Sequence, residues 1–138
     1  MRRWGLSIPS DCVLCSGNAE FREHLFFGCG VSFAVWGNFM FRASLTPPLL
    51  FMDCLTWVLS PSRDPNISLI IKLVFQASIY FLWKERNRRL HDHASRSSTA
   101  IIKEIKVILT AKLDPLSRRS EFDAPDNSLL STWFRYFN

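Results

Sequence analysis

The chain has 138 residues, enough for one domain or a small module joined to a helical one. Hydrophobic residues make up 48% of it, with twelve Phe and five Trp, which excludes a disordered polyelectrolyte and points to a collapsed core. The net charge of +5 is unevenly placed: Arg2, Arg3, Arg22 and Arg42 balance Asp11, Glu20, Glu23 and Asp53, so the surplus falls after residue 60, densest between Lys84 and Arg96. Such a surplus attracts polyanions, although a solvated helix end has the same composition.

Residues 1–18 read as a loop or knuckle, since Pro9, Ser10, Asp11, Ser16, Gly17 and Asn18 are turn formers. Met1-Arg2-Arg3 is basic, but the apolar run after it is too short and broken for a secretion signal, so an intracellular chain is expected, nuclear rather than cytoplasmic. A helix is predicted from Ala19 to Cys29 with Asn18 as N-cap, then a second over Val31–Arg42 with Phe33, Trp36, Phe39 and Met40 on its apolar stripe. Pro47-Pro48 ends that unit, and a short helix follows over Leu49–Leu59, its core face set by Phe51, Leu55 and Leu59.

After a connection from Ser60, a long helix is predicted from about Asn66 to His91, its polar end Lys84–Arg89 projecting into solvent. The run Ile67–Trp83 has nearly the length of a membrane span, but it contains Lys72 and Gln76, and a mid-bilayer Lys costs about 2.5–3.5 kcal/mol; a buried amphipathic helix fits better. Beyond a Ser-rich turn at 95–99, Ala100–Leu113 is amphipathic, with Ile101, Ile102, Ile105, Ile108, Leu109 and Leu113 on one face and Asp114-Pro115 as its stop. The stretch 116–127 is polar, and Leu129–Phe137 forms a short helix that returns to the core through Trp133, Phe134 and Phe137. The expected class is mainly α: a small N-terminal zinc knuckle over 1–45 and a basic helical region with one long helix over 46–138.

Chemistry concentrates in Cys12-x2-Cys15-x8-His24-x4-Cys29. Zinc takes four N or S ligands in a tetrahedron, and a two-residue gap lets both thiolates of a tight turn face one ion. Two cysteines in a polar turn are poorly placed as core residues, which favours a metal site over coincidence. With all four positions filled by protein, no open position remains for a catalytic water, so one structural Zn2+ is expected.

These residues resemble a known family, the zinc-binding domain at the C-terminal end of plant LINE-type (non-LTR) reverse transcriptases. The likeness runs through Arg3-Trp4-Gly5-Leu6, Pro9, Cys12-Val-Leu-Cys15, Glu20, His24-Leu25-Phe26, Cys29 and Val35-Trp36, and more loosely through Trp83-Lys84-Glu85-Arg86-Asn87. Phe21 stands where the family usually has Thr or Ser. The resemblance implies an auxiliary module of a retrotransposon protein, here a remnant without its polymerase. Seven Asp, none adjacent to another, offer no paired carboxylates for two-metal nucleotidyl transfer, so no enzyme activity is expected.

Other candidates are weaker. His91-Asp92-His93 point apart on a helix and read as a solvated end; Cys54 reads as a buried thiol; Asn66-Ile67-Ser68 is a glycosylation pattern without a secretory route. No Ser-His-Asp arrangement is visible. The expectation is a noncatalytic zinc module with weak RNA or DNA binding, through Lys84, Arg86, Arg88 and Arg89 and secondarily Arg2 and Arg3. The alternative is a protein-interaction or structural module docking on a polymerase or other partner through apolar bulk such as Trp57, Phe75, Trp83 and Trp133. Neither reading needs a small-molecule substrate.

Overall fold

The computed structural model describes residues 12–15, 24–118 and 128–138. The described residues are mainly helical and contain no strand. A π-turn at His24–Gly28 leads into α1 (Gly30–Arg42), followed by α2 (Phe51–Leu59), α3 (Pro65–His91), α4 (Ser98–Arg118), the short α5 (Leu129–Thr132) and a second π-turn at Trp133–Phe137. Residues 1–11 and 16–23, including Arg2, Arg3 and the expected N-cap Asn18, lie outside the described residues, as does 119–127.

α3 is the central helix. Asp64 caps it: Oδ1 accepts from the Asn66 N–H at 2.9 Å and the Ile67 N–H at 3.4 Å, and Pro65 at the first position has no N–H to leave unpaired. Its Ile70, Ile71, Val74, Phe81 and Leu82 are buried in one core with Val35, Phe39 and Met40 of α1 and Ile101, Ile105, Leu109 and Leu113 of α4. By length and composition α3 is apolar enough to cross a membrane; here Ile70, Ile71, Val74, Phe75, Phe81 and Leu82 are buried, while Leu69, Tyr80 and Trp83 are exposed. Trp133 closes the core, fully buried and stacked between Phe39 (centroids 5.9 Å apart) and Phe137 (6.1 Å), with Nε1 donating to Thr110 Oγ1 at 2.9 Å. The cysteine knuckle shares this core, because Cys12, Leu14, Leu25 and Cys29 are buried in it. α1, which the sequence places in the 1–45 module, packs against α3, α4 and the second π-turn, so the regions on either side of residue 45 share one interior.

Several expectations change. α4 does not stop at Asp114-Pro115 but runs to Arg118. A helix-interior Pro costs about 3 kcal/mol, yet Pro115 falls in the last turn. Buried Leu113, the Asp114–Arg118 ion pair at 3.2 Å and Ser117 Oγ, which accepts from the Leu130 N–H at 3.0 Å, hold that turn in place. α2 begins two residues later than predicted and presents a rotated face: Phe51, Cys54 and Val58 are buried while Leu59 is exposed. Phe33 of α1 and Ile108 of α4, both assigned to core stripes, are also exposed. The end of α3 does not project into solvent either, for Glu85 is fully buried and Arg86 is 6% exposed.

Candidate metal centre

Two local structures bring the four donors together. Cys12 and Cys15 bracket a tight turn at residues 13–15, which gives the two-residue gap its chelating bend. His24 and Cys29 are five apart, and in an α-helix residues so spaced point about 140° from each other. The π-turn resolves this by an i→i+5 bond, the Cys29 N–H donating to the His24 carbonyl at 2.6 Å. Ser32 Oγ donates to the Leu25 carbonyl and secures the same turn. Cys29 then takes the N-cap position of α1 without using its side chain as a cap, and its carbonyl accepts from the Phe33 N–H at 2.8 Å.

The donor atoms of Cys12, Cys15, His24 and Cys29 all lie within 4.8 Å of one another. The Cys12 and Cys29 sulfurs are 3.8 Å apart, and Cys15 Sγ is 3.2 Å from His24 Nε2. With Zn–S at about 2.3 Å, two sulfurs on a zinc tetrahedron stand about 3.8 Å apart, so the donor set has the chemistry and the span of a zinc site. Cys12, His24 and Cys29 are buried and Cys15 is half-buried. Burial pushes the Cys12 thiol up to about 12; the backbone N–H groups of Cys15 and Leu14 oppose this, and the neighbouring Cys29 adds to it. Thiolates in so dry a place need a cation among them, and metal binding is what deprotonates such ligands. Four protein donors leave no coordination position open, as in structural rather than catalytic zinc sites.

The remaining expected residues are scattered. Cys54 is a fully buried free thiol whose pKa burial raises to about 11. His91, Asp92 and His93 are exposed at the end of α3. Of the four cations at that end, Lys84 and Arg88 are half-exposed, with the Lys84 ammonium 5.8 Å from the Phe81 ring. Arg86 is buried and donates to Asn87 Oδ1 at 3.1 Å, while Arg89 is turned toward the knuckle. These two are therefore held by protein groups.

Sequence reasoning overlooked the acidic member of this stretch. Glu85 accepts at Oε2 from Arg89 Nε and from the Arg96 N–H, both at 2.8 Å, and at Oε1 from Arg96 Nε at 3.3 Å. Burial alone would raise its pKa, but these hydrogen bonds and the Arg89 charge outweigh that and hold the carboxyl below its usual range. Arg96 also pairs with Glu104 of α4. A single Glu inside Lys84–Arg89 was the available signal.

Residues 1–36 match a protein-family model described as zinc-binding in reverse transcriptase, a span that contains all four donors and the first half of α1. No curated protein and no solved structure matches the chain. The donor geometry and this match together support one structural zinc ion, in a chain whose N-terminal part is similar to the zinc-binding domain of reverse transcriptases.

Proposed function

We propose that the chain is a noncatalytic zinc module of a retrotransposon reverse transcriptase of plant LINE type that binds single-stranded nucleic acid weakly. The observation that carries the zinc part is the closed set of four donors, three sulfurs and an imidazole, within 4.8 Å. It holds structure and leaves no position for substrate.

The nucleic-acid part rests on a narrower surface than the sequence suggested. Tyr80, Trp83, Lys84 and Asn87 follow the i, i+3, i+4, i+7 spacing of one helix face, with Arg88 at its margin. Tyr80 is 54% exposed and Trp83 49%. Exposed aromatics beside cations are what stacking of unpaired bases with phosphate neutralisation requires. Lys84 and Arg88 are its cations among the described residues, and Arg2 and Arg3 remain secondary candidates. A nuclear site of action accords with such a partner.

The test is salt-titrated binding to single-stranded DNA and RNA. Binding at ~50 mM salt is expected, where phosphate contacts are strongest. Lys84→Gln should weaken it and flatten the dependence of log K on log salt by about 0.7 for each phosphate that is no longer neutralised. No binding even at low salt rules out the nucleic-acid reading.

A second reading, docking on a polymerase or another protein, is favoured by a separate surface. Phe33, Trp36, Gly37, Phe41, Pro47, Pro48 and Leu49 line a pocket of about 330 Å³, with Phe41 and Leu49 well exposed beside it. Of the residues expected to supply apolar bulk for a partner, Trp133 and Phe75 are buried, Trp57 is half-buried and Trp83 is exposed. Leu49→Ser should leave nucleic-acid affinity unchanged and weaken association with a partner; a chain that stays monomeric and binds no polymerase fragment counts against this reading.

A further inference from the structure

We infer that Arg89, held in place by Glu85, is a positioning residue for the metal centre: it fixes the Cys12–Cys15 turn and so sets how tightly zinc is retained. The inference rests on the zinc reading of the four donors. Leu14 lies inside the Cys-x-x-Cys turn, and its carbonyl accepts from Arg89 Nη1 at 2.8 Å across 75 residues of sequence. That carbonyl belongs to the peptide leading into Cys15, so its direction is tied to the placement of the second sulfur.

The guanidinium is fully constrained. Nε donates to Glu85 Oε2 at 2.8 Å and Nη2 to the Arg96 carbonyl at 2.9 Å, so all three nitrogens are engaged. The Arg89 side chain is 16% exposed and that of Glu85 0%. Glu85 also accepts the Arg96 N–H, and Arg96 reaches Glu104. A continuous polar path thus runs from the knuckle through α3 to α4. Groups one shell out from a metal typically govern affinity by orienting the ligands, and their loss costs about 10–100-fold.

This assignment also separates the cations of Lys84–Arg89 by role. Lys84 and Arg88 are left to solvent or a polyanion, whereas Arg89 serves the knuckle. Arg89→Lys would keep the charge and a donor for Leu14 but lose the fork that joins Glu85 and the Arg96 carbonyl.

Metal affinity of the full chain decides the matter, measured by competition with a chromophoric chelator and by the thiolate-to-metal and d–d absorption of the cobalt(II)-substituted protein. Arg89→Met is expected to weaken zinc about 10–100-fold and to alter the cobalt spectrum, with Arg89→Lys in between. Thr110→Val, which removes the acceptor of Trp133 Nε1 on α4, is the control: it should lower thermal stability while metal affinity stays within about twofold. Wild-type affinity and spectrum in Arg89→Met would overturn the inference and leave the zinc site standing. An equal loss in the Thr110 control would overturn it too, by showing that Arg89 acts through general stability. If Arg89→Met does not fold, Arg89→Lys carries the test: weakened affinity supports the role, and unchanged affinity removes it. A wild-type chain that takes up no metal would sink both this inference and the zinc reading.

Discussion

The knuckle and the helical body are held together by opposite means. Around Cys12–Cys15 and His24–Cys29 the stabilising groups are donor atoms and a few directed hydrogen bonds, and Leu14 and Leu25 supply the local apolar burial. The body is a conventional apolar interior in which Trp133, Phe39, Phe137, Ile70 and Ile71 of α3 and Ile101 and Ile105 of α4 are buried at 0% exposure. Burying a large apolar side chain stabilises by about 1.5–3 kcal/mol and needs little geometric precision, whereas a zinc site concentrates about 10–16 kcal/mol in four ligands that must all be present. One region should therefore fail all at once and the other by degrees.

The largest expected effect lies in the knuckle. Cys12→Ser should reduce zinc from one ion per chain to background and make Cys12–Cys15 and His24–Cys29 sensitive to protease, while most helical circular dichroism persists because the apolar contacts among α1, α3 and α4 remain. If the helical signal collapses with the metal, the contrast between the regions is false and the fold is a single metal-dependent unit.

In the body, Trp133→Ala should cost about 3–5 kcal/mol in urea unfolding, since it empties the stack between Phe39 and Phe137 and removes the hydrogen bond to Thr110 Oγ1. Zinc affinity should hardly change. A large loss of zinc in this variant would show the two regions to be more tightly coupled than their separate means of support suggest.

Glu85 sits where the regions meet, and Glu85→Gln should cost about 3 kcal/mol by leaving Arg89 without its buried counter-charge and Arg96 with Glu104 alone. The sign of its pH dependence follows from its lowered pKa. The stabilisation is fully present above the unfolded value of about 4.3 and drains away as pH falls through the folded value. The gap in unfolding free energy between wild type and Glu85→Gln should thus be constant above about pH 5 and narrow below pH 4. A gap that widens on acidification would mean that Glu85 is protonated in the native state.

The smallest effect is expected at Arg118→Ala. Its pair with Asp114 is solvent-exposed, the Arg side chain being 78% accessible, and such pairs contribute about 0–1 kcal/mol. A larger loss would mean that the last turn of α4, past Pro115, depends on this pair more than on Leu113 and Ser117.

Much of this protein is legible in its residues, and the reason differs by feature. The cysteine and histidine spacing could be read because chelation is a local constraint: a two-residue gap makes a turn, and a turn faces two sulfurs inward. Helix existence was readable from apolar periodicity, whereas the Asp64-Pro65 start of α3 passed for part of the connection before it. Which face of α2 is buried was not readable, because Leu55, Leu59, Cys54 and Val58 are all apolar and the choice depends on where α3 lies. Pro115 misled for a similar reason, since its local penalty is offset by the burial of Leu113 and by the bond from the Leu130 N–H to Ser117.

The sequence by itself determined the donor set, the helical class and the surplus of positive charge, since each follows from residue type and near-neighbour spacing. Only the tertiary structure decided what the charges in Lys84–Arg89 do. A carboxylate and a guanidinium on adjacent turns look like a solvated pair until the fold lays the Leu14 carbonyl and the Arg96 backbone against them. Burial strengthens those hydrogen bonds and makes their loss costly. Burial is a property of the assembled chain, and no stretch of residues carries it alone.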